Sequence, residues 1–516
     1  MTPELIKALL KPAAYLESTG SVVLRQTHVS YLFLTDSFVY KVKKPVNFGF
    51  LNFSTVDRRR FYCEEEVRLN SRLSPELYLG VVELRQAPEG GAFHGSGAVI
   101  DYAVKMKRLP EERMLARLLE EGAVGAADLE AIARTLGAFH LEARRGPEID
   151  ACGTVAAVTR NWEENFREAA PFVGTTLPQG DLAVVRGYVD RFLHESGALI
   201  QDRLQKGFVR ECDGDVHSAN ICLAERVYIF DCIEFNERFR YSDTAADTAF
   251  LLMDLEFSGR AELGAPFLAT YRTVTGDDVP PRLLDFYRAY RAFVRGKVES
   301  LEAGDPQVPQ AQREEARSRA ERYFRLCRGY ALRSALSPTL VLTCGLMGSG
   351  KSTFAAELAF ELGCALYRGD VVRKELFTPR RAPEAYDGGI YTPECNRATY
   401  RELLSRAEQA LAQGRSVVVD STFRRKSDRH TFAELAKRHG ARCVVVELTC
   451  DTETVRQRLL AREGNPDEVS DGRWELFAAQ QAEYEAPETG EAIAVDGALP
   501  VRQVVDAALR KMGLLP

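Results

Sequence analysis

The stretch TLVLTCGLMGSGKSTFAAELA, residues 339–359, decides the fold of the last third of the chain. It reads Gly345-x-x-x-x-Gly350-Lys351-Ser352, directly after an apolar run with β character and directly before an amphipathic helix. In that context the glycines let backbone N–H groups wrap a phosphate chain, and the helix N-terminus adds partial positive charge. A lysine at position 351 reaches the β and γ phosphates, and a hydroxyl at 352 ligates magnesium. Gly345, Gly348, Ser349, Gly350, Lys351, Ser352 and Thr353 are therefore expected to hold ATP with Mg²⁺.

Downstream, GCALYRGDVVRKELF (363–377) reads as a short strand ending at Asp370, with Arg373 three residues on. In an open parallel sheet, strand C-termini face the ligand crevice. Asp370 is expected there to take a proton from an attacking hydroxyl, and Arg373 to orient the acceptor. RSVVVDSTF (415–423) is an apolar strand ending in Asp420, which is expected to hold the metal together with Ser352. In ETVRQRLLAREGNPDEVSD (453–471), Arg458 and Arg462 share a helix face beside a Gly/Pro loop that could close as a lid. They are candidates for stabilising charge on the transferring phosphoryl group, whereas Arg456 reads as part of a solvated face.

A second constellation precedes all this. In RECDGDVHSANICLAERVYIFDCIEFN (210–236), Asp215 and Asn220 lie five apart in a loop and Asp231 ends an apolar strand. One carboxylate to accept a hydroxyl proton, with an amide and a second carboxylate for Mg²⁺, is what phosphoryl transfer requires. Upstream, Lys41 lies on a predicted strand in FVYKVKKP, with Glu65 or Glu66 on the following helix to pair with it. His217 is expected to support the loop by a hydrogen bond.

The Lys41, Glu66, Asp215, Asn220, Asp231 order and the helix motif LGAFHLEA (136–143) resemble the aminoglycoside phosphotransferase and choline-kinase-like branch of the protein-kinase fold, over about residues 20–330. The resemblance implies a bilobal kinase-like fold, with Asp215 as catalytic base, Asn220 and Asp231 on Mg²⁺, and Lys41 on ATP. That family reads His-Gly-Asp where this chain reads Asp213-Gly214-Asp215, and the extra carboxylate is expected to raise the pKa of the base. Residues 338–516 are similar to the small P-loop kinases grouped with polynucleotide 5′-kinase, gluconate kinase and zeta-toxin-like enzymes. Asp370-x-x-Arg373 looks most like the polynucleotide-kinase acceptor site. The chain as a whole resembles a fusion of an aminoglycoside-phosphotransferase-like domain (1–336) with an AAA-type P-loop kinase domain (337–516). The fold class expected is α+β followed by a parallel-sheet α/β domain.

These motifs imply a bifunctional ATP-dependent phosphotransferase acting on hydroxyl acceptors, one Mg·ATP site per domain. The alternative is a polynucleotide 5′-kinase in the P-loop half beside a regulatory or pseudokinase N-terminal half. At 516 residues the chain has room for several cores. A net charge of -6 argues against a surface that binds nucleic acid all over, but not against a local groove. The basic run FRRKSDRH (423–430) is equally a solvated helix start. Eleven cysteines without a CxxC pair or zinc spacing read as reduced thiols. The N-terminal MTPELIKALLKPAAYLE reads as one amphipathic helix without a signal-peptide core, so a cytoplasmic location with no membrane partner is expected.

Overall fold

The computed structural model of the chain describes residues 1–47, 49, 51–306, 308–377, 392–462 and 473–515; of residue 462 only the backbone is described. The chain divides into two compact units. One comprises Met1–Leu182 and Arg186–Cys327, the other Ala183–Val185 and Arg328–Pro516.

The first unit opens with an antiparallel sheet. Its strands are β1 (Val23–Gln26), β2 (Ser30–Leu34), β3 (Phe38–Lys43), β4 (Tyr78–Ala87), β5 (Gly90–Ala92) and β6 (Val99–Lys107), in spatial order β1-β2-β3-β6-β4-β5. Side chains alternate across a strand, so Tyr40 and Val42 of β3 enter a core with Phe33, Leu84 and Ala103. Lys41 and Lys43 thereby take the opposite face. The helix Val56–Asn70 follows, capped by Thr55, whose Oγ1 accepts from Arg58 N. Its buried stripe, Arg59, Cys63, Glu66 and Asn70, keeps helical spacing but is mostly polar.

The rest of this unit is largely helical. Within it β7 (Val209–Glu211), β8 (Ile221–Leu223), β9 (Val227–Ile229) and β10 (Tyr241–Asp243) form two small antiparallel pairs, β7 with β10 and β8 with β9. The buried helix Thr244–Phe257 and the long helix Pro281–Gly304 frame the loop between β7 and β8. At the N-terminus, one long helix is not what forms: the helix Pro3–Leu9 stops, and a short 3-10 turn, Pro12–Ala14, follows. Pro12 has no N–H to continue the ladder.

The second unit is a parallel α/β sheet. β11 (Thr339–Cys344), β12 (Ala365–Arg368), β13 (Val417–Asp420), β14 (Arg442–Thr449) and β15 (Ala492–Asp496) run in the order β12-β13-β11-β14-β15, every pairing parallel. β11 is buried throughout, as a central strand covered on both faces must be. Val341 faces a core with Phe354 and Leu358 of the helix Lys351–Leu362, and Leu340 and Leu342 face one with Phe423 and Phe432. Among the described residues, no helix is long and apolar enough to cross a membrane.

Candidate functional site

Both constellations read from the sequence assemble, and they do so by different physics. In the first unit, period two along β3 and the Glu66 helix converge on a buried ion-pair chain. Lys41 Nζ lies 2.8 Å from Glu66 Oε1 and 2.5 Å from Asp231 Oδ1. Lys43 Nζ lies 2.6 Å from Glu66 Oε2 and also meets Glu234 Oε1. Glu66 is fully buried and gives one oxygen to each lysine, which resolves the Glu65-or-Glu66 choice geometrically. Glu65 turns outward to Arg68 at 2.7 Å. Burial opposes the charge on Lys41, but Asp231, Glu66 and Glu234 outweigh it and hold its pKa well above the usual lysine value. Burial likewise opposes the charge on Glu66, and the two lysines overcome it, so its pKa falls. Asp231 sits in the left-handed region at φ 66, a backbone setting that Asp tolerates better than most residues.

The loop after β7 carries Asp213, Gly214, Asp215, His217 and Asn220. It is pinned from below by Asp247 of the helix Thr244–Phe257, whose carboxylate accepts from Asp213 N at 2.9 Å and Gly214 N at 3.0 Å. Arg291 donates to Gly214 O at 2.8 Å. Asn220 Nδ2 donates to Asp215 Oδ2 at 3.1 Å, and His217 Nε2 stands 3.5 Å from the same oxygen. His217 Nδ1 accepts from Ala219 N, so the histidine does support the loop.

The expectation that Asp213 raises the pKa of Asp215 is corrected here. Burial pushes Asp215 upward, but His217, Arg295 and Arg291 outweigh it and the pKa is lowered. The raised group is Asp213 itself, through burial and the neighbouring Asp247. A buried carboxyl held neutral adds no negative charge beside the base. Its Oδ1 accepts from Asp215 N at 3.1 Å, while Oδ2 is buried without a hydrogen-bond partner among the described residues.

In the second unit the cradle is backbone. Gly345, Gly348 and Gly350 lie at φ 129, 77 and 95, and a Cβ on Gly345 would come within 2.5 Å of Leu448 O. At Gly345 a side chain is excluded by both torsion and space. Lys351 is buried and donates to Leu346 O at 2.6 Å. Ser349 Oγ is buried without a hydrogen-bond partner among the described residues, Ser352 is half-buried and Thr353 is exposed. Asp420 ends β13 beside the cradle, its Oδ1 accepting from Thr343 Oγ1 at 3.1 Å.

Asp370 does not end a strand: β12 stops at Arg368, and Asp370 lies in the first turn of the helix Gly369–Leu376. An early helical position suits a carboxylate because of the helix dipole. Arg373, one turn on, binds Asp370 Oδ1 at 2.8 Å and Asn396 Oδ1 at 3.1 Å. Arg458 reaches the cradle, donating to Gly497 O at 2.9 Å and Gly348 O at 3.4 Å. Arg456 is exposed beside Glu453. The Arg462 side chain and the Gly/Pro loop at 463–472 lie outside the described residues. In the basic run, Arg429 is buried on Glu491 at 2.6 Å, so it offers no charge to a polyanion.

Sequence reasoning missed Lys43, Glu234, Asp247, Arg291 and Gln480, whose Oε1 accepts from Met347 N within the cradle at 2.7 Å. Only Lys43 had a legible signal, its two-residue spacing from Lys41.

Sheet order and cradle define the second unit as a P-loop nucleotide-binding domain, and the sequence model of the AAA domain family matches residues 340–487. Across both units the chain is 33% identical over 471 residues to uncharacterized proteins of Mycobacterium tuberculosis (strain ATCC 25618 / H37Rv) and Mycobacterium bovis (strain ATCC BAA-935 / AF2122/97), covering 90% of this chain and 90% of each relative. The chain belongs to the family of these mycobacterial proteins. Among solved structures it is similar to a sugar kinase from Janibacter sp. HTCC2649, at 22% identity and TM-score 0.28, over 34% of this chain and 95% of that one. It is also similar to a gluconokinase from Sinorhizobium meliloti 1021, at 23% identity and TM-score 0.27, over 34% of this chain and 93% of that one.

Proposed function

We propose that the chain is a bifunctional ATP-dependent phosphotransferase with one Mg·ATP site in each unit. The observation that carries the reading is a matched pair of phosphate-handling lysines: Lys351 at the head of a glycine cradle, and Lys41 held between Glu66 and Asp231.

In the P-loop unit, backbone N–H groups and Lys351 hold the phosphate chain. Asp370 accepts the proton of the acceptor hydroxyl as its oxygen bonds to the γ phosphorus and the bond to ADP breaks. Arg373 keeps Asp370 oriented, and Arg458 steadies the cradle through the carbonyls of Gly348 and Gly497. In the first unit, Lys41 grips the nucleotide, Glu66 fixes Lys41, and Asp215 accepts the acceptor proton. The lowered pKa of Asp215 keeps it an anion ready for that role. The oxygen donors Ser352 with Asp420, and Asn220 with Asp231, suit magnesium; Asn220 commits its amide N–H to Asp215 and retains its carbonyl oxygen. When bound, the ion supplies neutralising charge for the phosphates. The acceptor is a hydroxyl-bearing small molecule, and the burial of Arg429 weighs against a nucleic-acid groove at 423–430.

The test is acceptor-dependent ADP release over sugars, polyols, aminoglycosides and 5′-hydroxyl oligonucleotides. Asp215→Asn and Asp370→Asn should each remove one acceptor's turnover by at least a hundredfold and leave the other intact. ATP consumption unchanged in both variants would defeat the two-site reading. Transfer to oligonucleotide ends that is lost in Asp370→Asn and kept in Asp215→Asn would make the P-loop unit a polynucleotide 5′-kinase instead.

A further inference from the structure

Beside the Glu66 helix, the first unit holds an open cleft of about 610 Å³. That volume is in the range of small-molecule sites. Four rings line it: Phe61, Tyr62, Phe235 and Tyr241, with Phe61 55% exposed. Rings left facing solvent around a concavity offer apolar and π surface to a flat ligand.

Most of the cleft's charges are already matched. Glu65 is bound by Arg68 and Glu148 by Arg144. Arg240 holds Glu237 and Glu211, and Arg238 is bound by Glu164. Glu234 is held by Lys43. The remaining lining charge is Arg160, which among the described residues makes no ion pair or hydrogen bond; its charge is felt by Glu164, but Arg238 holds that carboxylate. The uncommitted charge of the cleft is thus a guanidinium at the edge of an aromatic surface, a setting that suits a carboxylate, sulfonate or phosphate.

We propose that this cleft binds a flat organic anion, its acidic group on Arg160 and its body against Phe61, Tyr62 and Phe235. Glu234 lines the same cleft and is also the partner of Lys43, which shares Glu66 with Lys41. An occupant therefore touches the end of the chain that positions Lys41. That coupling acts on nucleotide handling only if Lys41 works as proposed above; binding in the cleft does not depend on it.

Cys152 lies in the cleft wall and reports occupancy directly. The full chain is treated with a maleimide, with and without anilinonaphthalene sulfonate, and modification is mapped by peptide mass. The sulfonate should slow labelling of Cys152, with roughly tenfold weaker protection in Arg160→Gln, an exposed position whose replacement leaves the fold intact. The neutral analogue phenylnaphthylamine should protect weakly in both proteins. No protection of Cys152 by the sulfonate, or equal protection in Arg160→Gln, overturns the site. In the same samples, acetylation of Lys41 by acetic anhydride should change at least twofold at saturating sulfonate. An unchanged rate overturns the coupling, and it does so whether or not the first unit transfers phosphate.

Discussion

The two lysines that anchor the proposed nucleotide sites are held in opposite ways. Lys351 starts the helix that follows a loop shaped by three glycines within six residues, and it donates to the carbonyl of Leu346, five positions away. Lys41 is held by carboxylates from a neighbouring helix and from a loop 190 positions away. One site is local backbone geometry, while the other is a set of charges brought together by the finished fold. Both lysines are buried, but only the second depends on every charge finding its opposite.

The comparison is broken most directly at Glu66. Glu66→Ala leaves two buried lysines sharing fewer counter-charges and should cost the first unit about 3–5 kcal/mol, read as a lowered urea midpoint for that unit. The P-loop has no equivalent weakness, and there the expected effect is on rate. Lys351→Ala should lower turnover of the P-loop unit by roughly 10²–10³-fold, about 2.7–4 kcal/mol of transition-state stabilisation, measured in an Asp215→Asn background. Gly345→Ala attacks the cradle through its backbone instead. At φ 129 with Leu448 O only 2.5 Å from the new carbon, it should weaken nucleotide binding at a cost of about 1–3 kcal/mol, visible by calorimetry.

The smallest effect is a gain. Asp213 holds its proton to higher pH in the folded chain than in the unfolded one, because burial and Asp247 raise its pKa there. In the unfolded chain it ionises near pH 4. The folded state then binds the extra proton, so stability falls as pH rises above about 4 until the folded pKa is reached. Asp213→Asn cannot ionise and escapes that loss. It should melt a few degrees above the parent at pH 7 and at the same temperature near pH 4. A variant less stable than the parent at neutral pH would show that Asp213 is charged in the fold.

The same contrast explains how much could be read in advance. The P-loop, the parallel sheet after it and Asp420 at a strand end were legible because each is written in consecutive residues. The strands around Lys41 and the helix bearing Glu66 were legible as elements. Their joining was not, since nothing in CIEFN marks Glu234 as the partner of a lysine 191 positions earlier. Lys43 stands in the same predicted strand, FVYKVKKP, where its two-residue spacing from Lys41 puts both on one face. The polar stripe of the Glu66 helix, with Arg59 and Asn70 buried beside Cys63, defeats any reading that equates a buried face with an apolar one. Asp370 was displaced from strand end to helix start because a carboxylate suits either place. The direction of the Asp215 pKa turned on whether Asp213 is charged, which depends on burial and on Asp247, 34 residues further along the chain.

The sharing of Glu66 between Lys41 and Lys43 has an evolutionary consequence. Positions 41, 43, 66, 231 and 234 form one electrostatic circuit, so a substitution at one changes what is tolerated at the others. Across the family these five should therefore be inherited as a block, kept together or replaced together. A lineage that loses one should carry compensating changes at its neighbours, and should be sought where the first unit has given up its chemistry.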